Sequence, residues 1–283
     1  MRMGISVADI ELWAKHRGKW CAGCIHGKMT EHNRSSSTKV HASEVGEDGA
    51  ADLLFVEQAA GGKRAVYAHT DIESKCRFLV DMQGKTEQDI KDAVRVVSGY
   101  HEMYGHKLKT LSFDRESAVV RIQNWLVEAL HIRTKLKASN QKVGLAEIDI
   151  RLLKDGARAT KSGVREQFGY NAPPQWNQDL CHHVNSCQNA LVRTGMSKSP
   201  AELFTGRALD GVRDLRGLHW GQPVLAKRPN VEGASDLREK AQWVVPVRCY
   251  RDGSGLVKVY VVETKKYAQA PGENYAASES DKP

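Results

Sequence analysis

Three short strand-like runs followed by alternating helical and strand-like segments restrict the fold of this chain more than any other feature. The three runs cover about 51–56, 64–70 and 76–83, and Gly61-Gly62 and a polar turn separate them, as is typical of an antiparallel meander. The later segments predict helices and strands in alternation, at about 86–104 (helix), 108–113 (strand), 116–130 (helix), 132–137 (strand) and 144–165 (helix). This order predicts an α/β fold in which a mixed sheet is flanked by helices.

Composition is that of an ordinary globular chain, with 283 residues of which 41% are hydrophobic and 27% charged. No span approaches the roughly 18 uninterrupted apolar residues of a membrane helix, and the first residues lack the apolar core of a secretory signal. We therefore expect a reducing compartment and no disulfide framework among the six cysteines. A formal charge of +8 favours a polyanionic partner.

Three acidic residues stand at the ends of predicted elements. Asp52 and Asp114 close or flank short apolar strand-like runs, and Glu147 opens the last long helix. In a mixed sheet these positions can converge at one end, and converging carboxylates are what hard divalent cations require. The pattern predicts a metal site for phosphoryl transfer, with Asp52, Asp114 and Glu147 as catalytic residues and as ligands of Mg²⁺ or Mn²⁺.

Other carboxylates compete for these places. Asp71 and Asp81 are rivals of Asp52. Asp114 is alternatively a turn or helix-cap residue, and Glu116 could replace it as a ligand.

The third acidic position has its own alternative. Glu147 could merely favour the positive end of the helix dipole. Asp149 falls on another helical face, where we expect it to be solvated.

Positive charge is concentrated beside Glu147, because residues 121–165 hold ten Lys or Arg against four Asp or Glu. Steps of three and four place five of them on one helical face, and together with Lys142 they are the candidate nucleic-acid-binding residues: Lys142, Arg151, Lys154, Arg158, Lys161 and Arg165. The adjoining face is predicted to be apolar and comprises Leu145, Ile148, Leu152 and Ala159. The alternative to a phosphate-binding track is an ordinary solvated helical face.

From about 45 to 207 the chain resembles the catalytic core of retroelement integrases, and it is most similar to the copia-type retrotransposon polyprotein family. Three motifs carry the resemblance and occur in the family's order: Tyr67-Ala68-His69-Thr70-Asp71, then Asn140-Gln141 with Gly144 and Glu147, then the peptide 198–207, KSPAELFTGR. The chain departs from the family near Asp52, where the usual preceding His and following Gly-Pro are replaced.

The resemblance implies an RNase H-like fold that binds two Mg²⁺ or Mn²⁺ ions, with Asp52 bridging both and Asp114 and Glu147 each supporting one. The implied activities are trimming of element DNA ends and strand transfer into target DNA. The implied partners are element and target DNA and further copies of the chain, with no membrane, and the implied location is the nucleus after a cytoplasmic stage. A catalytically silent nucleic-acid-binding relic, or a transposase or nuclease on the same fold, is the alternative.

The N-terminal segment contains Cys21 and Cys24, which resemble the second half of the family's His-His-Cys-Cys zinc module. Only His16 precedes them, so zinc binding competes with a pair of free thiols. A second group is expected to pack or face solvent rather than bind metal: Cys181, His182, His183 and Cys187.

The C-terminal segment has strand-like runs at 224–226, 244–247 and 256–262, which predict a small β-barrel-like module or a plain structural β module. The predicted organisation is a partial zinc-binding-like segment (1–30), a linker (31–44), an RNase H-like core (45–207), a small β module (208–270) and a disordered tail (271–283).

Overall fold

The computed structural model of the protein describes residues 44–58, 62–114, 117–137, 144–208, 220–227, 241–249, 256–262, 264–271 and 275–276. The proposed zinc-binding segment and the linker up to residue 43 lie outside these ranges, as do Glu116 and Lys142. No helix within the described ranges is long and apolar enough to cross a membrane.

Two sheets and a set of helices make up the described structure. The strands are β1 (Asp48–Glu57), β2 (Lys63–Asp71), β3 (Arg77–Asp81), β4 (Thr110–Asp114), β5 (Arg133–Lys137), β6 (Val224–Lys227), β7 (Ala241–Cys249), β8 (Leu256–Val261), β9 (Lys266–Pro271) and β10 (Tyr275–Ala276). The helices are α1 (Glu87–Met103), α2 (Ser117–Leu130), α3 (Gly144–Phe168), α4 (Asn177–Ala190) and α5 (Pro200–Thr205), with a 3₁₀ turn at Pro174–Trp176.

The first sheet has five strands in the order β3-β2-β1-β4-β5. β1 pairs antiparallel with β2 and parallel with β4, and β4 pairs parallel with β5. The predicted mixed sheet flanked by helices is therefore confirmed. Gly49 is required in β1, because a Cβ atom there would lie 2.2 Å from the Cε1 atom of His69.

The two faces of this sheet bury separate apolar clusters. Odd-numbered β1 residues such as Ala51 pack with α1 and α2, whose side chains include Val94 and Ile122. The even-numbered residues Leu54 and Val56 pack on the other face with α3 and α4. Strand alternation thus assigns α1 and α2 to one layer and α3 and α4 to the opposite layer.

Helix α1 begins as the sequence predicts. The Thr86 hydroxyl accepts a hydrogen bond from the Asp89 amide at 3.2 Å, and the Asp89 carboxylate accepts one from the Thr86 amide at 2.9 Å. This reciprocal pair is a capping box, which satisfies amides at the helix N-terminus that have no partner within the helix.

The apolar face of α3 differs from the predicted one. Ile148 is 40% exposed, whereas Ile150, Leu153 and Val164 are buried against the sheet and α4. The expectation that Asp149 is solvated is wrong, since its side chain is buried and paired with arginine. The buried face follows a second apolar row at helical spacing, Ala146, Ile150, Leu153, Ala157 and Val164, with the buried ion pair beside it.

The second sheet is antiparallel, with five strands in the order β10-β6-β7-β8-β9. Its Val245 and Val247 belong to the same buried cluster as Leu54 of β1 and Leu180 of α4. Closure into a barrel stays a prediction, because β9 and β10 are the two ends of the described strand order. Tyr275–Ala276 pairs with β6, although these two residues belong to the segment predicted to be a disordered tail (271–283).

Candidate metal and nucleic-acid site

The three predicted acidic positions lie on neighbouring elements of the first sheet and the α3 layer. Ala51 of β1 pairs with Phe113 of β4, so Asp52 and Asp114 each follow one member of the same parallel pair. Glu147 lies in the first turn of α3.

A small buried cluster joins the beginning of α3 to the sheet. It contains Ala50 of β1, Ile72 of the turn after β2 and Ala146 of α3. Ala50 is two residues before Asp52 and Ala146 is one residue before Glu147. The packing therefore brings the segments that carry these two carboxylates together.

Asp52 is half-buried in the middle of β1, and its Oδ1 atom accepts a hydrogen bond from the Leu53 amide at 2.7 Å. It shares the face of the strand used by Ala50 and Leu54, which is the face that α3 covers. Glu147 is also half-buried. Both carboxylates therefore lie at the α3 side of the sheet.

The donor chemistry fits a hard divalent cation, which takes carboxylate oxygens as ligands. Among the side chains that the structure describes, no group of three or more His, Cys, Asp or Glu is arranged to hold a metal ion. The side chain of Asp114 is outside that description, whereas its backbone ends β4 beside Lys137 of β5.

The rival carboxylates have structural partners. Buried Asp71 accepts hydrogen bonds from the Gly46 amide at 2.8 Å and from the amide and hydroxyl of Ser74 at 2.7 and 2.6 Å. These donors fix the turn after β2, so the structure favours a structural role for Asp71.

Asp81, at the end of β3, contacts His182 at 2.7 Å and Arg248 at 3.1 Å. Burial acts to raise the pKa of Asp81, but the hydrogen bond and charge of His182, together with Arg248, hold it well below its usual value. This carboxylate links β3 to α4 and the second sheet, away from the segments joined by Ala50 and Ala146.

An ion pair that sequence reasoning missed lies two residues beyond Glu147. Arg77 Nη2 is 2.8 Å from Asp149 Oδ1, and the two side chains are 0% and 2% exposed. Burial lowers the pKa of Arg77, and the Asp149 carboxylate opposes that shift. The sequence feature that could have indicated this ion pair is a single arginine next to the apolar run Phe78-Leu79-Val80.

The basic residues of α3 are mostly accessible. Arg151, Lys154 and Arg165 are exposed, and exposed Arg158 forms an ion pair with Asp155. Lys161 is half-buried, and burial lowers its pKa. Four of the predicted phosphate-binding residues thus form one exposed stripe, whereas Lys161 contributes less to it.

The second Cys and His group packs as expected. Cys181 is buried, and burial raises the pKa of its thiol to about 11. His182 contacts Asp81, and the Nε2 atom of His183 lies 3.6 Å from the Sγ atom of Cys187.

Comparisons with known proteins give distant structural likenesses. A chain of the simian T-cell lymphotropic virus intasome in complex with the PP2A regulatory subunit B56 gamma has 11% identity and a TM-score of 0.49, over 89% of this chain and 86% of that one. The HTLV-2 integrase catalytic core domain in complex with magnesium has 10% identity and a TM-score of 0.44 in its dimeric form, over 59% of this chain and 100% of that one. Its trimeric form has 12% identity and a TM-score of 0.44, over 58% of this chain and 99% of that one.

No protein-family model matches the chain, and no curated protein matches its sequence.

Proposed function

We propose that the protein is an integrase-type polynucleotidyl transferase on an RNase H-like core, which trims DNA ends and joins them to target DNA for a retrotransposon. The observation that carries the proposal is that β1 pairs with β4 and also packs against the beginning of α3. This arrangement places Asp52 and Asp114 after one parallel pair and couples Ala50 to Ala146 beside Glu147.

Asp52, Asp114 and Glu147 would hold Mg²⁺ or Mn²⁺. When bound, the ions would supply activation of a water or a DNA 3′-hydroxyl as nucleophile and stabilisation of the leaving oxygen of an in-line displacement at phosphorus. No covalent intermediate with the protein is needed.

The α3 helix supplies the remaining chemistry from its own side chains. Arg151, Lys154 and Arg165 are exposed on the helix that begins with Glu147. Guanidinium and ammonium groups at this spacing can contact successive phosphates and so hold the DNA backbone in register with the carboxylates. This placement supports a nucleic-acid substrate, for which we propose DNA, with the nucleus as the site of action.

We further propose that the protein works as a homo-oligomer. Val96, Tyr100 and Met103 recur at steps of four and three on α1 and are 44%, 40% and 67% exposed. Sedimentation velocity of the full chain with and without DNA measures the oligomeric state. Zinc binding by Cys21 and Cys24 is a separate proposal, which zinc analysis of the purified chain tests.

The second candidate function is a nucleic-acid-binding relic without catalytic activity. The exposed stripe on α3 favours binding whether or not the carboxylates act. The relic would bind DNA with a strong salt dependence that is unaffected by changes at Asp114 or Glu147.

Strand transfer of a labelled duplex oligonucleotide in Mn²⁺ distinguishes the two. We expect the natural chain to nick and join DNA, and Asp114→Asn and Glu147→Gln to abolish both reactions. Asp92→Asn is the matched control, because that carboxylate is 58% exposed on α1, and it should leave activity unchanged. A natural chain that binds DNA but neither nicks nor joins it, across several end sequences, would establish the relic instead.

A further inference from the structure

The buried Arg77 side chain joins three elements. Its Nη2 atom lies 2.8 Å from Asp149 Oδ1 of α3. Its Nη1 atom donates a hydrogen bond to Gln188 Oε1 of α4 at 2.9 Å. Gln188 in turn donates from Nε2 to the Leu152 carbonyl at 3.0 Å. One guanidinium on β3 therefore fixes the first turns of α3 directly and through α4.

Hydrogen bonds also hold the backbone of Arg77. Its amide donates to Asn189 Oδ1 at 3.0 Å, and its carbonyl accepts from the side-chain amides of Asn185 at 3.0 Å and Asn189 at 2.7 Å. These bonds tie the beginning of β3 to α4. Because these bonds hold the Arg77 backbone in place, the guanidinium group restricts the position of the carboxylate that it contacts.

The contacts of Asp149 restrict the orientation of its side chain. Its Oδ1 atom also lies 3.4 Å from Arg193 Nη1, a longer contact to a partly exposed side chain. Within the described residues its Oδ2 atom has no hydrogen-bond partner. Arg193 Nη1 donates a hydrogen bond to Asp149 Oδ1, whereas Arg77 Nη2 makes the shorter ion-pair contact without hydrogen-bond geometry. Arg77 and Arg193 therefore restrict the Asp149 side chain together, and Arg77 is the fully buried member of the two.

The position of Asp149 connects this pair to the candidate site. It lies two residues after Glu147, and the apolar contacts next to Glu147 come from the small Ala146 side chain. The larger apolar contacts of α3, from Ile150 and Leu153, begin one turn after Ala146. The buried Arg77–Asp149 contact adds a polar restraint between these two sets of contacts.

We propose that Arg77 is a positioning residue of the candidate site, acting through Asp149 to set the first two turns of α3 and thereby the place of Glu147 relative to Asp52. This inference rests on the proposed function. Removing groups that orient metal ligands from outside typically weakens metal affinity 10- to 100-fold, so the predicted loss is of that order.

The test compares Arg77→Met, Asp149→Leu and the double variant with the natural full-length chain. The double variant replaces the ion pair by apolar side chains, a change that is often neutral or stabilising for a buried pair, so it separates positioning from folding. Lys258→Met is the control. Lys258 belongs to the second sheet and forms an ion pair with Asp179 of α4, at a distance of 2.7 Å. Two quantities are measured: hydrogen exchange of residues 145–150, and the Mn²⁺ concentration that gives half-maximal strand transfer.

We expect the double variant to fold cooperatively and to exchange amide hydrogens at 145–150 faster than the natural chain. We expect it to need about tenfold more Mn²⁺. The control should change neither quantity. Unchanged exchange at 145–150 in the double variant overturns the positioning role, whatever the activity. Faster exchange with an unchanged Mn²⁺ requirement also overturns it. A natural chain without any Mn²⁺-dependent activity refutes the proposed function itself and removes the reaction that Arg77 would serve.

Discussion

The Nε2 atoms of His69 and His101 lie 3.2 Å apart in the buried layer between β2 and α1. The Nδ1 atom of His101 lies 2.9 Å from the Gly46 carbonyl, which can only accept a hydrogen bond, so His101 carries its proton on Nδ1. When His101 is neutral, its Nε2 atom accepts from the Nε2–H group of His69. Burial favours the neutral form of both rings, because it lowers the pKa of each.

Acid should destabilise the protein through this pair. Burial lowers the pKa of both histidines below 6.5, and for His69 the neighbouring His101 adds to the shift. Below about pH 6.5 the unfolded chain binds more protons at these two residues than the folded chain does. The contribution of this pair to the free energy of unfolding is therefore constant above about pH 6.5 and falls as the pH drops below it. Denaturant midpoints between pH 8 and pH 5 measure the effect.

His101→Gln should reduce this acid sensitivity, since it removes one of the titrating groups and can still donate to the Gly46 carbonyl. His131→Asn is the control, because His131 is exposed and its φ of 55° suits asparagine. Equal pH slopes for His101→Gln and the natural chain would rule out this pair as the cause.

Two glycines of α3 should respond to alanine in opposite directions. A Cβ atom at Gly156 would lie 2.6 Å from Val184 Cγ1 of α4, whereas a Cβ atom at Gly163 meets no atom within 4 Å. We expect Gly156→Ala to cost about 1–3 kcal/mol through overpacking. Gly163→Ala should stabilise the protein by about 0.5–1 kcal/mol through helix propensity. Urea unfolding measures both, and a stabilised Gly156→Ala variant would contradict the close α3–α4 contact.

The second sheet should unfold together with the first. Buried Trp220 donates its indole N–H to the Val247 carbonyl at 2.8 Å, and its ring centroid lies 5.9 Å from that of Trp176. We expect Trp220→Ala to cost about 3–5 kcal/mol and to lower one shared transition. Val262→Ala, at a side chain that is 45% exposed, should change stability by less than about 0.5 kcal/mol. Separate melting of the two sheets in a calorimetric scan would contradict this coupling.

The exposed stripe of α3 should control the salt dependence of DNA binding. Neutralising one phosphate contact lowers the slope of log K against log salt by about 0.9. We expect Arg151→Gln and Lys154→Gln each to lower the slope by that amount, and Lys161→Gln to lower it less because Lys161 is half-buried. Lys107→Gln, at an exposed position before β4, is the control. Fluorescence anisotropy at several salt concentrations gives the slopes, and equal slopes for all four variants would remove the stripe from the interface.

Local pattern predicted most of the first sheet, because strands and helices of this chain alternate with clear period and caps. Helix α1 is an example, since it is predicted at about 86–104 and the structure has it at Glu87–Met103 with Thr86 as its cap. The buried face of α3 was not predictable in the same way. Two apolar rows on α3 compete, and the structure buries the one with Ile150 and Leu153 rather than the one with Ile148. Asp149 is buried beside that row, paired with Arg77, 72 positions earlier in the chain.

The sequence predicted which positions along the chain carry the candidate carboxylates, but not which groups surround each carboxylate. Sequence order indicates that the three acidic residues stand at the ends of elements, which holds for Asp114 and Glu147, whereas Asp52 lies in the middle of β1. The parallel register supports a common location for Asp52 and Asp114. The partners of Asp71 and Asp81 depend on donors brought by folding, such as the Gly46 amide and Arg248. No local pattern contains that information.

Direct titration of Mn²⁺ into the full chain, followed by electron paramagnetic resonance of the free ion, tests the central claim without any assumption about DNA ends. We predict saturable Mn²⁺ binding that Asp52→Asn and Glu147→Gln each weaken at least about tenfold, while Asp92→Asn leaves it unchanged. Binding that is absent in the natural chain, or equal in all four proteins, would contradict a metal site built from these carboxylates.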